Sequence, residues 1–198
     1  MNIIDPGKTM MQSLEEACAF HAYRKTRALD TNIALDADYQ KNFNNYYRIR
    51  RDEQWRQAYY RYLEDNKHHK DITFKQILRY LSEVPHIVRI CGKNPDGIAR
   101  TVEPSFASKM LATINPDHPV WDSQVLRFLG RKVPEGLGRC EKIETCVRIY
   151  GEVEQEIGEF IGSAQGKACI ELFDKTFPGC RDFSDFKKMD YYMWNLGK

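Results

Sequence analysis

The chain has no long apolar run, almost no charge imbalance and no clustered cysteines, and each shortage removes a class of protein. No stretch reaches the ~20 consecutive apolar residues that a membrane-spanning helix needs, so no membrane partner is expected. With 30 Lys and Arg against 28 Asp and Glu, the net charge is only +2. Bulk electrostatics therefore argue for no polyanion partner, and any such case rests on local patches. The first residues, "MNIIDPGKTMMQSLEEA", carry Asp5 and Pro6 where a secretory signal has an apolar core, and they do not read as one. Cysteines stand at 18, 91, 140, 146, 169 and 180, with no C-x-x-C pair and no zinc-ribbon or iron–sulfur spacing. Reduced thiols in a cytoplasmic protein, with no metal, are the expectation. His68 and His69 lack a third ligand at helical spacing, and His86 and His118 stand alone in turns. Two-residue alternation, internal repeats and low-complexity tracts are also missing, so the pattern is not that of strands or of a solenoid.

What is present is an ordinary globular composition: 198 residues, 42% hydrophobic and 29% charged, enough chain to bury its own core. Apolar residues recur at helical spacing throughout, which predicts an all-α, compact bundle of about eight to ten helices. The organisation is either one unit over 1–198 or two lobes with a cleft between them, about 1–70 with 164–198 forming one and 72–160 the other. Helices are expected over about 11–29, 38–65 with a break near Arg51, 73–82 capped by Thr73, 85–91 opened by Pro85, and 104–114 opened by Pro104. Further ones follow over about 122–129, stopped by Gly130, then 141–160, 164–177 and 184–196.

Three stretches carry chemistry. Between Lys41 and Tyr62 lie six basic residues, two acidic ones and seven aromatic rings, so Arg48, Arg50 and Arg51 are candidates for phosphate contact. Trp55, Tyr59, Tyr62 and Leu63 fall at i, i+4, i+7 and i+8, the spacing of a buried stripe. The loop "VPEGLGR" before the helix at 141 offers Gly136, Gly138 and Arg139 as a turn whose N–H groups can face a phosphate, or as a plain connection between helices.

The third stretch is "PDHPVWDSQVLRFLG", residues 116–130, in which Asp122 stands as N-cap of a short helix. Lys109 lies in the preceding helix about a turn and a half before its end, roughly 7–8 Å of rise. If the two helices pack as a hairpin, amine and carboxylate share a cleft. A fixed carboxylate stabilises a developing cation or orients a water, and a buried lysine attacks carbon to form a Schiff base. A cap and a surface lysine explain the same residues without chemistry.

"HPVWDSQVLRFLG" resembles the helix-hairpin-helix DNA glycosylases, whose recurrent "VDTHVxRxxxRLG" puts a catalytic aspartate at the head of a helix ending in Leu-Gly. Val120, Asp122, Val125, Arg127, Leu129 and Gly130 match that pattern, with Trp121 inserted before the acid. The resemblance spans about residues 72–160 and is concentrated in the aspartate segment. The family's "LPGxGxxTA" hairpin is replaced here by "RTVEPSFASKM", and the Gly-x-Gly turn follows Asp122 instead of preceding it. The resemblance implies base excision from duplex DNA: a damaged or mispaired base is flipped into a pocket and its glycosidic bond cut. Asp122 and Lys109 would be catalytic, Trp121, Ser123 and Arg127 would meet the substrate, and no cofactor is required. A catalytically silent nucleic-acid binder and a helical interaction protein stand as alternatives.

Overall fold

The computed structural model describes residues 31–90 and 94–196; the expected helix over 11–29 lies outside them. Among the described residues there are eight α-helices: α1 (Ala37–Tyr47), α2 (Glu53–Asn66), α3 (Phe74–Glu83), α4 (Pro104–Ile114), α5 (Ser123–Phe128), α6 (Arg139–Gly162), α7 (Ala164–Thr176) and α8 (Asp185–Leu196). The architecture is an all-α multi-helix bundle, as the periodicity implied, and no helix in it is long and apolar enough to cross a membrane.

Local chemistry starts each helix where the sequence places a cap. Asp36, Asp52 and Ser163 accept N–H bonds from Tyr39, Trp55 and Gly166, and Thr73 forms a reciprocal capping box with Gln76. The break expected near Arg51 falls at Arg48, which leaves α1 in the left-handed region at φ 55°. Gly130 ends α5 at φ 67°, with the Arg131 N–H returning to the Leu126 carbonyl at 2.7 Å, the closure that a glycine at this position permits.

One expectation fails. Of the helix expected over 85–91, residues 85–90 are described and form none; His86–Ile87 (β1) pairs antiparallel with Ile98–Ala99 (β2). The residue before Pro85 is pushed out of the helical region, and Val84 sits there at ψ 118°. Ile87, Val88 and Ile90 are β-branched, and Gly97 supplies the positive φ that closes the ribbon. Asp52 ties the ribbon to α2, since its second carboxylate oxygen accepts the Ile87 N–H at 2.9 Å. The thiol expectation also fails at one position: Cys140, Cys146 and Cys169 are free, but Cys180 is disulfide-bonded.

The core is unusually aromatic on the side of α1 and α2. Tyr39, Phe43, Trp55, Tyr59 and Tyr60 are fully buried and interlock edge to face or stacked, so the aromatic stripe of α2 is core. On the other side Phe74 stacks on Tyr150 at 4.0 Å and lies parallel to Trp121 at 6.3 Å between ring centres. Helix α5 packs on α8, α4 on α3, and α6 on both α7 and α8. Residues of α1, α4, α5 and α8, with the turns that flank them, surround one hollow.

Candidate functional site

Asp122 is positioned by what holds the three residues before it. The Tyr150 hydroxyl donates to the Pro119 carbonyl at 2.8 Å, and the Val120 N–H donates to both Asp190 oxygens at 3.2–3.3 Å. The Trp121 N–H donates to Ser108 Oγ at 2.8 Å, and the Trp121 ring is buried beside Phe74. Four side chains from α3, α4, α6 and α8 thus fix an extended segment, and α5 starts at its end. Asp122 Oδ1 then accepts the Gln124 N–H at 2.9 Å, a cap that among the described residues leaves Oδ2 without a hydrogen bond.

Asp122 lines a cavity of about 260 Å³, and so does Lys109. The walls come from Tyr46, Tyr47 and Arg48 of α1 and its end, Lys109 of α4, Asp122 and Val125 of the α5 segment, and Lys187, Asp190, Tyr191 and Trp194 of α8. The sequence placed Lys109 and Asp122 in one cleft on condition that α4 and α5 pack as a hairpin; they do share a cavity, but α4 packs chiefly on α3 and α5 on α8. The structure adds a second lysine–aspartate pair and four aromatic rings.

Lys109 is only 7% exposed. Its Nζ donates to the Tyr47 carbonyl at 3.0 Å, in the last turn of α1, and lies 5.5 Å from the Phe106 ring centre and 5.8 Å from that of Tyr47. Burial lowers its pKa to about 8, with the Lys187 charge acting the same way; the carboxylates of Asp122 and Glu103 oppose the fall. Asp190 is displaced in the other direction. Burial raises its carboxyl to about 7 and Asp122 adds to this, while Lys187 and the Val120 N–H work against it. The Tyr46 and Tyr191 hydroxyls bond to each other at the cavity edge, and burial holds the Tyr191 phenol well above the usual range.

Several candidates lie elsewhere. Trp121 is 2% exposed and belongs to the core, so it is not a surface on which a substrate stacks. Ser123 and Arg127 are exposed on α5 and do not line the cavity. Arg51 pairs with Glu103 and stacks over Phe106 at 5.7 Å, which ties its charge to α4. Gly136 and Gly138 form the expected turn into α6, at φ 71° and as N-cap, but they and Arg139 line neither this cavity nor the groove beside it; Arg139 pairs with Glu83. Arg48 and Arg50 remain exposed, the first on the cavity and both on that groove.

Periodicity held a signal for the residues that sequence reading missed. Lys187, Asp190, Tyr191 and Trp194 fall at i, i+3, i+4 and i+7, one face of α8 that mixes charge with aromatic surface. A purely structural face is apolar throughout, so this mixture marks a wall that meets something polar.

Comparison with protein families, with curated proteins and with solved structures finds no match to this chain.

Proposed function

We propose that this protein is a DNA glycosylase with lyase capability, acting on a base flipped into the cavity between α1, α4, α5 and α8. The observation that carries this reading is the meeting of Lys109 and Asp122 in one aromatic-walled hollow, the lysine buried and the aspartate fixed by its own helix. At about 260 Å³ the hollow lies just below the roughly 300–1,000 Å³ of sites for drug-sized ligands, which suits a single base or its sugar. Tyr46, Tyr47, Tyr191 and Trp194 supply flat surfaces for a planar ring.

The chemistry follows from the two charges. Negative Asp122 stabilises the positive sugar that develops as the C1′–N bond stretches. With a pKa of about 8, Lys109 is neutral in about a quarter of molecules near pH 7.5, where an unperturbed lysine is almost wholly protonated. Neutral Nζ attacks C1′, the base departs with the bonding electrons and takes up a proton, and the amine sheds its own proton. Opening of the sugar ring gives the imine, and loss of a C2′ proton then expels the 3′ phosphate.

The test is borohydride reduction during reaction with duplex DNA that carries an abasic site or a damaged base. Wild type forms a covalent protein–DNA adduct, Lys109→Gln forms none, and Asp122→Asn loses base release at least a hundredfold while binding DNA as before, in line with the loss of one electrostatic stabiliser. Base release unchanged by Asp122→Asn removes the carboxylate from the mechanism. An adduct that persists in Lys109→Gln removes the lysine.

The bond from Lys109 Nζ to the Tyr47 carbonyl favours a second reading, in which the lysine is a tie between α4 and α1 and the protein binds nucleic acid without cutting it. Salt-sensitive DNA binding with neither adduct nor released base supports that alternative.

A further inference from the structure

Beside the cavity runs a second, more open and polar groove of about 590 Å³ between α1 and α2. Lys41, Arg48, Arg50 and Arg56 line it, with Glu53 as the one acidic residue among its walls. The two hollows share Asn45 and Arg48. Among the described residues none of the four cations forms an ion pair; Arg56 only donates to the Arg51 carbonyl at 2.7 Å. Arg51, the neighbour that does pair with a carboxylate, lies outside the groove. Cations on a convex helix face are ordinarily solvated separately, but these line one concavity, where their fields add.

The backbone supports the same distinction. Lys41, Asn45 and Arg48 fall at i, i+4 and i+7, so they follow one face of α1 for about 10 Å. That length matches about three nucleotides at the roughly 3.4 Å axial spacing of a DNA strand. Arg48 adopts a left-handed conformation that a residue with a side chain seldom takes, and from there its side chain borders both hollows.

We infer that this groove is a phosphodiester track: Lys41, Arg48, Arg50 and Arg56 hold the backbone of the DNA strand flanking the nucleotide that enters the cavity at Arg48. The inference rests on the reading of the protein as DNA-acting, but it requires no catalysis.

The probe is a fluorescent duplex of undamaged DNA, titrated by anisotropy across a salt series, so binding is read apart from base release. The slope of log Kd against log salt falls by about 3 in the triple variant Lys41→Gln, Arg50→Gln, Arg56→Gln, at about 0.9 for each phosphate no longer neutralised. A control triple, Lys132→Gln, Lys167→Gln, Lys175→Gln, removes the same charge from exposed positions elsewhere and leaves the slope within about 1 of wild type. Arg48→Gly, which suits the left-handed backbone, melts no lower than wild type yet binds several-fold more weakly, with a slope reduced by about 1. Equal weakening in both triples, or an unchanged slope in the groove triple, overturns the track. So does tighter binding to an RNA duplex with the same slope changes, which assigns the groove to RNA. Should the groove variants behave as stated while Lys109 and Asp122 prove dispensable for base release, the track stands and the glycosylase reading falls.

Discussion

Replacing Lys109 with methionine is expected to stabilise the fold while it removes the buried amine. The native lysine is held at a pKa of about 8 against an ordinary value of 10.5. Keeping it charged at neutral pH therefore costs about 3 kcal/mol, at about 1.4 kcal/mol per tenfold. Methionine has nearly the same length and no charge, so this penalty disappears. Against the gain stand the Tyr47 carbonyl, left without its donor, and the attraction of the ammonium to two rings, together roughly 1–3 kcal/mol. The net expectation is a gain of about 1 kcal/mol at pH 7, which for a chain of this size raises Tm by about 2–4 °C. The pH dependence provides a sharper check. Between pH 8 and 10.5 the native lysine has released its proton while the unfolded one keeps it, so wild-type stability rises across that window and the advantage of the variant shrinks. Chemical denaturation of both proteins from neutral to alkaline pH reads the difference directly. A variant less stable than wild type at pH 7, or a gap that stays constant through pH 10, refutes the argument that burial strains this charge.

Asp190→Asn should also stabilise, through the opposite shift: the native carboxyl binds a proton up to about pH 7 and the unfolded one only to 3.8, so wild type loses stability as pH rises between those values. The advantage of the amide should grow across that window by up to about 4 kcal/mol, at about 1.4 kcal/mol per tenfold, and then level off, and a flat difference in urea titrations refutes it. Gly166→Ala should destabilise by at least about 3 kcal/mol, because an added Cβ would coincide with the Phe160 carbonyl oxygen at the α6–α7 junction; an unchanged urea midpoint refutes that clash.

The parts of the site that were legible in the sequence are those encoded over short separations. Asp122 as a cap, Gly130 as a stop, Thr73 as a cap and the apolar stripe of α2 each depend on neighbours within about two turns, where helical periodicity and hydrogen-bond chemistry act. Lys109 and Asp122 do line one cavity, but α4 packs chiefly on α3 and α5 on α8, so a hairpin of α4 against α5, the expected reason for their meeting, is not the packing that joins them. Other features depend on contacts that no local pattern records. Arg51 looked equivalent to Arg48 and Arg50 until Glu103, 52 residues away, accepted its charge. The Gly136–Gly138 turn was correctly placed before a helix, but its distance from the cavity is decided by how α6 packs, not by the glycines themselves.

Asp190 shows why the distinction matters for function. Its carboxyl bonds the backbone of Val120 across 70 residues of sequence, and that bond helps to aim Asp122. The same carboxyl lines the cavity with Lys187, and burial keeps it near neutrality in its protonation. A residue bound to the segment that carries Asp122, and exposed to the same hollow, couples the orientation of that carboxylate to the electrostatics of the site. Helix α8 is thus more than a buttress for α5: it supplies the charges against which Lys109 and Asp122 are balanced, and any account of their chemistry must include it.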